Sequence, residues 1–553
     1  MTATPFHVYD TTLRDGAQQE GMNLSVADKL AIAPLLDELG VGFIEGGWPG
    51  AVPKDTEFFR RAAKELDLRN AVLAAFGATR KAGTRAWDDP QVRALLDSEA
   101  PVVTLVAKSD VRHVERALRT TPDEGLAMIA DTVAFLVGEG RRVVVDAEHF
   151  FDGYRFDPVW SRAAAEAAFE AGAEVVTLCD TNGGMLPHWV TDVVTEVRET
   201  LGLPHGRDAV AGDRLLGMHA HNDSGCAVAN TLAAVAAGAW HVQGTVNGYG
   251  ERTGNVDLVT VVANLELKHG LRTLVGGGLE EATRIAHAVA EITNISPYAR
   301  QPYVGASAFA HKAGLHASAI KVDPDLYQHI DPTAVGNDMR MLVSDMAGRA
   351  SIELKGRELG YDLSGQGELL TRVTTRVKDA EAQGYTFDAA DASFELLLRE
   401  ELTGSRQAFF RVESWRTIVE TAAGGPGRGT AHDAGSRDAD ALAEATVKLH
   451  AGGERVVATG EGNGPVNALD QALRSALTRV YPQMEKFELI DFKVRILDAQ
   501  QGTDATTRVL VETTDGQHSW STVGVGPNVI EAAWESLIDA YVYGLVHAGV
   551  EPR

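Results

Sequence analysis

Eight short apolar runs of β type, each followed by a longer stretch with helical spacing, occupy the chain from residue 6 to about 255. The runs are Phe6–Asp10, Val41–Glu45, Ala71–Phe76, Val102–Ala107, Arg142–Asp146, Glu174–Leu178, Leu215–His219 and Val242–Val246. Amphipathic segments such as Val26–Leu39, Thr56–Leu66, Pro122–Val137, Arg162–Ala171 and Ala227–Ala237 separate them. Eight strand–helix units in roughly 250 residues is the size and order of a (β/α)8 TIM barrel. A doubly wound open sheet shows the same alternation. The count of eight, and the lack of a G-x-G-x-x-G after the first run, favour the barrel.

The polar clusters fall in one place relative to these runs. The first run leads into DTTLRDG, the second into EGGWPG, the fifth into DAEHFFDG, the sixth into CDTNGG, the seventh into HAHND and the eighth into NGYGERTGN. All lie at the C-terminal ends of expected strands, where barrel enzymes hold their chemistry. Ordinary polar loops would be scattered over both ends.

His219 and His221 are two residues apart, so on a strand both imidazoles face the same side. Such a pair chelates metal, and further ligands must come from other strand ends. Asp15, after the first run, and Asn255, after the eighth, are the candidates, because those strands are neighbours in a closed barrel. A His, His, Asp, Asn set without thiolate suits Mg²⁺, Mn²⁺, Co²⁺ or catalytic Zn²⁺ with positions open to substrate oxygens. A metal held this way can bind a 2-oxo acid through its keto oxygen and carboxylate and polarise the carbonyl. Arg14, beside Asp15, is placed to neutralise an oxyanion. Glu45, opening EGGWPG, is a further candidate substrate-binding residue.

Composition narrows the classes. Lys and Arg total 51 against 77 Asp and Glu, a net charge of −26 over 553 residues. A nucleic-acid binder needs a basic face and a polybasic membrane anchor needs a cationic run, so neither is expected. The two cysteines, Cys179 and Cys226, rule out a disulfide scaffold or a Cys-rich zinc module. No basic region followed by an apolar run opens the chain, and no apolar run reaches about 18 residues. The expected location is the cytoplasm.

DTTLRDG, HAHND and NGYGERTGN together resemble the metal-dependent Claisen-type acyltransferases, the family of 2-isopropylmalate, homocitrate and citramalate synthases. GWPGAVPKD (47–55), DAEHFFDGYR (146–155) and EGNGPVNALD (461–470) are similar to its citramalate branch. The resemblance implies Asp15, His219, His221 and Asn255 as ligands of a divalent metal. It implies Arg14 as the residue stabilising oxygen charge, with Glu148 and Thr181 lining the 2-oxo acid site. His316, in AHKAGLHASAI, matches the family's second-domain catalytic histidine, and Tyr327, in YQHIDP, its tyrosine. Isopropylmalate synthases read His-Gln-Asp-Gly around that histidine; here the run is His316-Ala317-Ser318-Ala319, which removes the carboxylate at the third position. The implied reaction joins acetyl-CoA to pyruvate and hydrolyses the thioester, a step toward isoleucine. His316 is the candidate base for the acetyl methyl proton. The rival acceptor is the 2-oxoisovalerate of leucine synthesis. A lyase running the reverse cleavage, and a non-catalytic amino-acid-binding regulator, are the more remote alternatives.

Past the barrel the strand rhythm stops. The expected division is a catalytic barrel over 1–270, mainly helical linker subdomains over 271–404, and a C-terminal α+β regulatory domain over 405–553. Leu279–Thr293 and Gly367–Gln383 read as helices, and 422–440, rich in Gly, Ala and charge, as a flexible loop. Gly462-Asn463-Gly464-Pro465 recurs 62 residues later as Gly524-Val525-Gly526-Pro527. Each copy stands between a β-type run (Arg455–Thr459, Trp520–Val523) and a helical run (Val466–Val480, Val529–Val546), a duplicated β/α module with Pro expected at the first helical position. The resemblance implies that this domain pairs two subunits into a homodimer and binds an end-product amino acid, isoleucine.

Overall fold

The computed structural model describes residues 5–419, 443–497 and 505–553; the stretch 422–440, expected above to be a loop, lies outside them. The chain forms two compact units, Met1–Phe309 with Ile330–Asp338, and Ala310–His329 with Met339–Arg553.

In the first unit the strands are β1 His7–Asp10, β2 Phe43–Gly47, β3 Val72–Ala78, β4 Val102–Lys108, β5 Arg142–Glu148, β6 Val175–Asp180, β7 Leu215–Ala220 and β8 His241–Gly244. All pair in parallel and in sequence order, and β1 closes on β8 with His7 opposite His241 and Asp10 opposite Gly244. Closure excludes the open doubly wound sheet. The surrounding helices start where local chemistry tells them to. Ser25 and Asp28 form a capping box for Val26–Leu39. Pro53, Pro122, Pro158 and Pro187 each open a helix, where the missing N–H has no partner to lose. The eighth strand is shorter than its apolar run suggested. It ends at Gly244 because the next amides leave the sheet: Thr245 N donates to Val256 O (3.2 Å) and Val246 N to Thr12 Oγ1 (2.9 Å). A 3-10 turn, Val246–Gly248, follows.

Several buried positions on the barrel strands are polar. Tyr9, wholly buried on β1, places its hydroxyl 2.8 Å from Glu45 Oε1 on β2 and 2.6 Å from Thr104 Oγ1 on β4. His7 and His241 meet edge to face nearer the strand starts. Burial, the largest influence on His7, lowers its pKa to about 4. A second buried pair braces the end of β2. Lys29 reaches from the first helix to the carbonyl of Gly46 (3.0 Å) and to the Asp55 carboxylate. Asp55 in turn accepts from the Trp48 amide at 2.8 Å. Gly47 has φ +143°, and a Cβ there would stand 2.3 Å from Asp55 Cγ, so only glycine lets the strand end close on this carboxylate.

The second unit opens with a two-residue parallel bridge, β9 Ala310–His311 with β10 Arg340–Met341. Four helices follow the pattern expected for this region: Gly314–Ile320, Arg349–Glu358, Gly367–Ala382 and Asp391–Thr403. Two antiparallel three-stranded sheets come next, β11 Arg411–Val419, β12 Ala443–Ala451 and β13 Glu454–Gly462, then β14 Glu488–Ile496, β15 Thr507–Thr514 and β16 Ser519–Gly526. Pro465–Thr478 follows the first sheet and Val529–His547 the second, so the repeat is three strands and a helix, twice. The two copies start their helices differently. Pro465 is the first helical residue, as expected. Pro527 is not: Asn528 behind it is the cap, its side chain accepting from the amides of Ile530 and Glu531. Among the described residues no helix is long and apolar enough to cross a membrane.

Removing one partner of a buried ion pair strands the other, at a cost of about 3–5 kcal/mol. Lys29→Ala is therefore expected to lower the unfolding temperature of the barrel by several degrees, measured by calorimetry. An unchanged transition would mean that Asp55 is held by the Trp48 amide alone.

Candidate active site

The loop leaving β1 is wound tightly by its own backbone. The amides of Arg14, Asp15 and Gly16 all donate to Thr11 O, at 3.1, 2.9 and 3.0 Å. Thr12 ties to Asp10 through both its amide and its hydroxyl, each at 2.9 Å. This turn places Asp15 against the end of β7. His219 lies in β7 and His221 just past it, where His221 bridges Asn255 in antiparallel register.

The result is a cluster of electron-rich atoms. His219 Nε2 stands 3.3 Å from Asp15 Oδ2 and 3.3 Å from His221 Nε2. One ligand atom from each of the three residues lies within 4.8 Å of the others. All three side chains are buried. Asn255 is buried too; its amide nitrogen donates to Tyr249 O (3.0 Å), while its Oδ1 has no hydrogen-bond partner. Burial pushes the Asp15 carboxyl up, but Arg14 and the two histidines outweigh it and hold the group well below the usual range. Burial depresses His219, yet Asp15 outweighs that and raises it. His221 falls to about 4, through burial first and then its neighbour His219. The shifts of Asp15 and His219 share one cause, the mutual attraction of a buried carboxylate and its cationic neighbours, whereas burial and His219 keep His221 uncharged.

Arg14 is fixed on two sides. Its Nε donates to Glu45 Oε2 at 2.5 Å, and its guanidinium lies 3.8 Å from the centre of the Phe76 ring. Nη1 is 3.5 Å from Asp15 Oδ2. A cavity of about 680 Å³ opens above these residues and is also lined by Trp48, Glu148, Cys179 and Thr181. Glu148 pairs with Lys108 directly across the β4–β5 register. Thr181 Oγ1 accepts from the His149 amide (2.8 Å), which leaves its hydroxyl proton free to donate.

Arg14, Asp15, Glu148, Thr181, His219 and His221 thus line one cavity, with Glu45 directly behind Arg14 and Asn255 bridged to His221. His316 and Tyr327 belong to the second unit, where their rings stack with centroids 4.1 Å apart. The small residues after His316 have structural roles there. Ala317 is in a local core with Ile320, Met341 and Leu354, and Ser318 bonds back to its own helix at Gly314 O (2.9 Å). Motif reading overlooked Lys108, Phe76 and Gln243, and gave Asp146, which opens DAEHFFDGYR, no role of its own. Gln243 sits inside a β-type run, where a lone polar residue in an inward position was the available signal. Burial, reinforced by Glu45, lifts Asp146 to about 6.

Three family descriptions match the chain in order: HMGL-like over residues 6–289, homocitrate synthase post-HMGL domain-like over 303–385, and LeuA allosteric (dimerisation) domain over 388–545. The barrel is that of the HMGL-like class. The chain is 62% identical to (R)-citramalate synthase of Streptomyces coelicolor, with 100% of both chains covered. It is 47% identical to that of Synechocystis, covering 98% of this chain and 96% of the relative. Identity to 2-isopropylmalate synthase of Pyrococcus furiosus is 29%, over 97% and 99%. The chain belongs to the (R)-citramalate synthase family.

Lysine cannot reproduce the planar fork that meets Glu45 while stacking on Phe76. Arg14→Lys is expected to lower kcat by about 10²–10³-fold, the range for loss of one preorganised oxyanion donor. Steady-state kinetics at saturating substrate would show it; a kcat within a few-fold of wild type would remove Arg14 from the charge-stabilising role.

Proposed function

We propose that this chain joins acetyl-CoA to pyruvate and hydrolyses the thioester, giving (R)-citramalate and free CoA. One observation carries the chemistry: Arg14, locked on Glu45, stands beside the Asp15–His219–His221 cluster in a single cavity. Full-length identity to (R)-citramalate synthases supports pyruvate as acceptor.

Asp15, His219, His221 and Asn255 are the proposed holders of a divalent metal. The donors fit one: an ionised carboxylate, two imidazole nitrogens that face each other, and a buried amide oxygen without a partner. When bound, the metal would supply Lewis-acid polarisation of the keto carbonyl. The protein's own groups do the rest. Arg14 offers its remaining N–H groups to the oxygen on which charge builds as the new carbon–carbon bond forms. Glu45 holds that guanidinium in place. Thr181 offers a hydroxyl proton to the carboxylate of the 2-oxo acid, and Glu148 carries a carboxylate at the cavity wall that orients substrate and water. The methyl proton of acetyl-CoA goes to a base. His316, with Tyr327 stacked on it, enters in that role on the resemblance described above. Water then cleaves the carbon–sulfur bond and makes the sequence irreversible.

The proposed organisation is a catalytic barrel, a mainly helical connecting region and a C-terminal regulatory domain that pairs subunits and binds isoleucine. The LeuA allosteric (dimerisation) match and the twofold β/α repeat support it.

Release of free CoA thiol, with a divalent metal present, is expected with pyruvate far above 2-oxobutanoate, 2-oxoisovalerate and 2-oxoglutarate. Preference for 2-oxoisovalerate would move the chain to leucine synthesis, and silence on every acid would overturn the assignment. Isoleucine is expected to inhibit the full chain but not a chain lacking residues from 441 onward. Inhibition that survives the truncation would place the effector site elsewhere.

A further inference from the structure

Behind the candidate metal cluster lies a side chain whose hydrogen bonds admit one arrangement. Gln243, on β8, is fully buried in the barrel interior. Its amide nitrogen is 2.8 Å from Asp146 Oδ1 on β5 and 3.3 Å from Thr177 Oγ1 on β6. Its amide oxygen is 2.9 Å from His219 Nδ1. The reverse amide orientation would set that oxygen against the Asp146 carboxylate and leave two acceptors in contact, so the interior enforces the orientation seen. An amide oxygen only accepts. The His219 Nδ1 facing it must therefore carry hydrogen and donate.

We infer that Gln243 is a positioning residue for the metal site, its carbonyl fixing His219 in the Nδ1–H tautomer so that the Nε2 lone pair faces Asp15 and His221. The inference rests on the proposed reading of those three residues as metal ligands. A neutral imidazole carries one ring proton, and the partner of one nitrogen decides what the other can do. His219 Nε2 points at a carboxylate oxygen and at a second imidazole nitrogen. With its lone pair held there, the three donors converge on a cation. With the tautomer reversed, the Nε2 proton would fill the space. Gln243 also links the cluster to β5 and β6, so through this amide the ring of His219 is tied to three strands besides its own.

The test is Mn²⁺ binding to the full chain, read from the electron paramagnetic resonance signal of the free ion, without turnover. Gln243→Leu removes the acceptor and is expected to weaken Mn²⁺ binding about 10- to 100-fold. Gln243→Glu combined with Asp146→Asn keeps an acceptor at Nδ1, lets the asparagine amide donate to the new carboxylate in place of the lost contact, and is expected to bind at or near wild-type affinity. Circular dichroism checks both folds, and Gln243→Met replaces the leucine variant should that one not fold. Wild-type affinity in Gln243→Leu or Gln243→Met would overturn the inference while leaving the metal reading intact. Equal losses in the glutamate and apolar variants would also overturn it, because packing alone would then explain the position. A wild-type chain that binds no Mn²⁺, Co²⁺ or Zn²⁺ would overturn the metal reading and this inference together.

Discussion

A carboxylate with no access to water holds this site together. Glu45 is wholly buried in the middle of β2, and it is satisfied by two donors from the neighbouring strand and its loop, the Tyr9 hydroxyl and the Arg14 guanidinium. Desolvating an ion pair costs several kcal/mol per ion, and an apolar replacement of similar shape is often no less stable. A barrel interior filled by Val, Ile and Leu is the usual solution. The polar filling here has a consequence beyond stability. Arg14 cannot swing away, because its Nε is anchored and its plane lies against Phe76.

The same logic runs from strand to strand. Tyr9 joins β1 to β2 and β4, and Gln243 joins β8 to β5, β6 and β7. These inward polar groups find their partners on other strands. Glu148 and His219 lie on those strands, and Arg14, Asp15 and His221 follow directly after them in backbone-braced turns, so their relative positions are tied to the barrel. Electrostatic preorganisation needs such rigidity, since a donor that must reorient as charge develops returns little stabilisation. The gap between Asp15, His219 and His221 is where this scaffold gathers one carboxylate and two imidazoles, the place proposed above for a divalent cation.

Much of this was legible in the residues. Eight apolar runs announced eight strands, and the polar clusters after six of them marked one end of the barrel. The His219–His221 spacing put two imidazoles on one face, because strand geometry alternates side chains with period two. Asp15 and Asn255 were reachable by reasoning that the first and last strands of a closed barrel adjoin. The glycine-rich repeat disclosed a duplication, although the helix cap differs between its copies: Pro527 stands outside the helix that Asn528 opens. The contact of Gln243 with Asp146 was not legible. Within VQGTV nothing local distinguishes an inward polar side chain that orients a ligand from one that merely fills space.

Local sequence thus determined the elements, their order and the residue types at the strand ends, because backbone propensity, capping and side-chain alternation act over a few positions. Tertiary structure alone decided that the sheet closes, that Arg14 meets Glu45 across 31 residues of sequence, and that Gln243 meets Asp146 across 97. Those contacts are products of barrel closure and register. Hydrogen bonds between residues so distant form only where eight strands bring their inward faces to a common axis, and one strand read by itself carries no record of what will stand opposite.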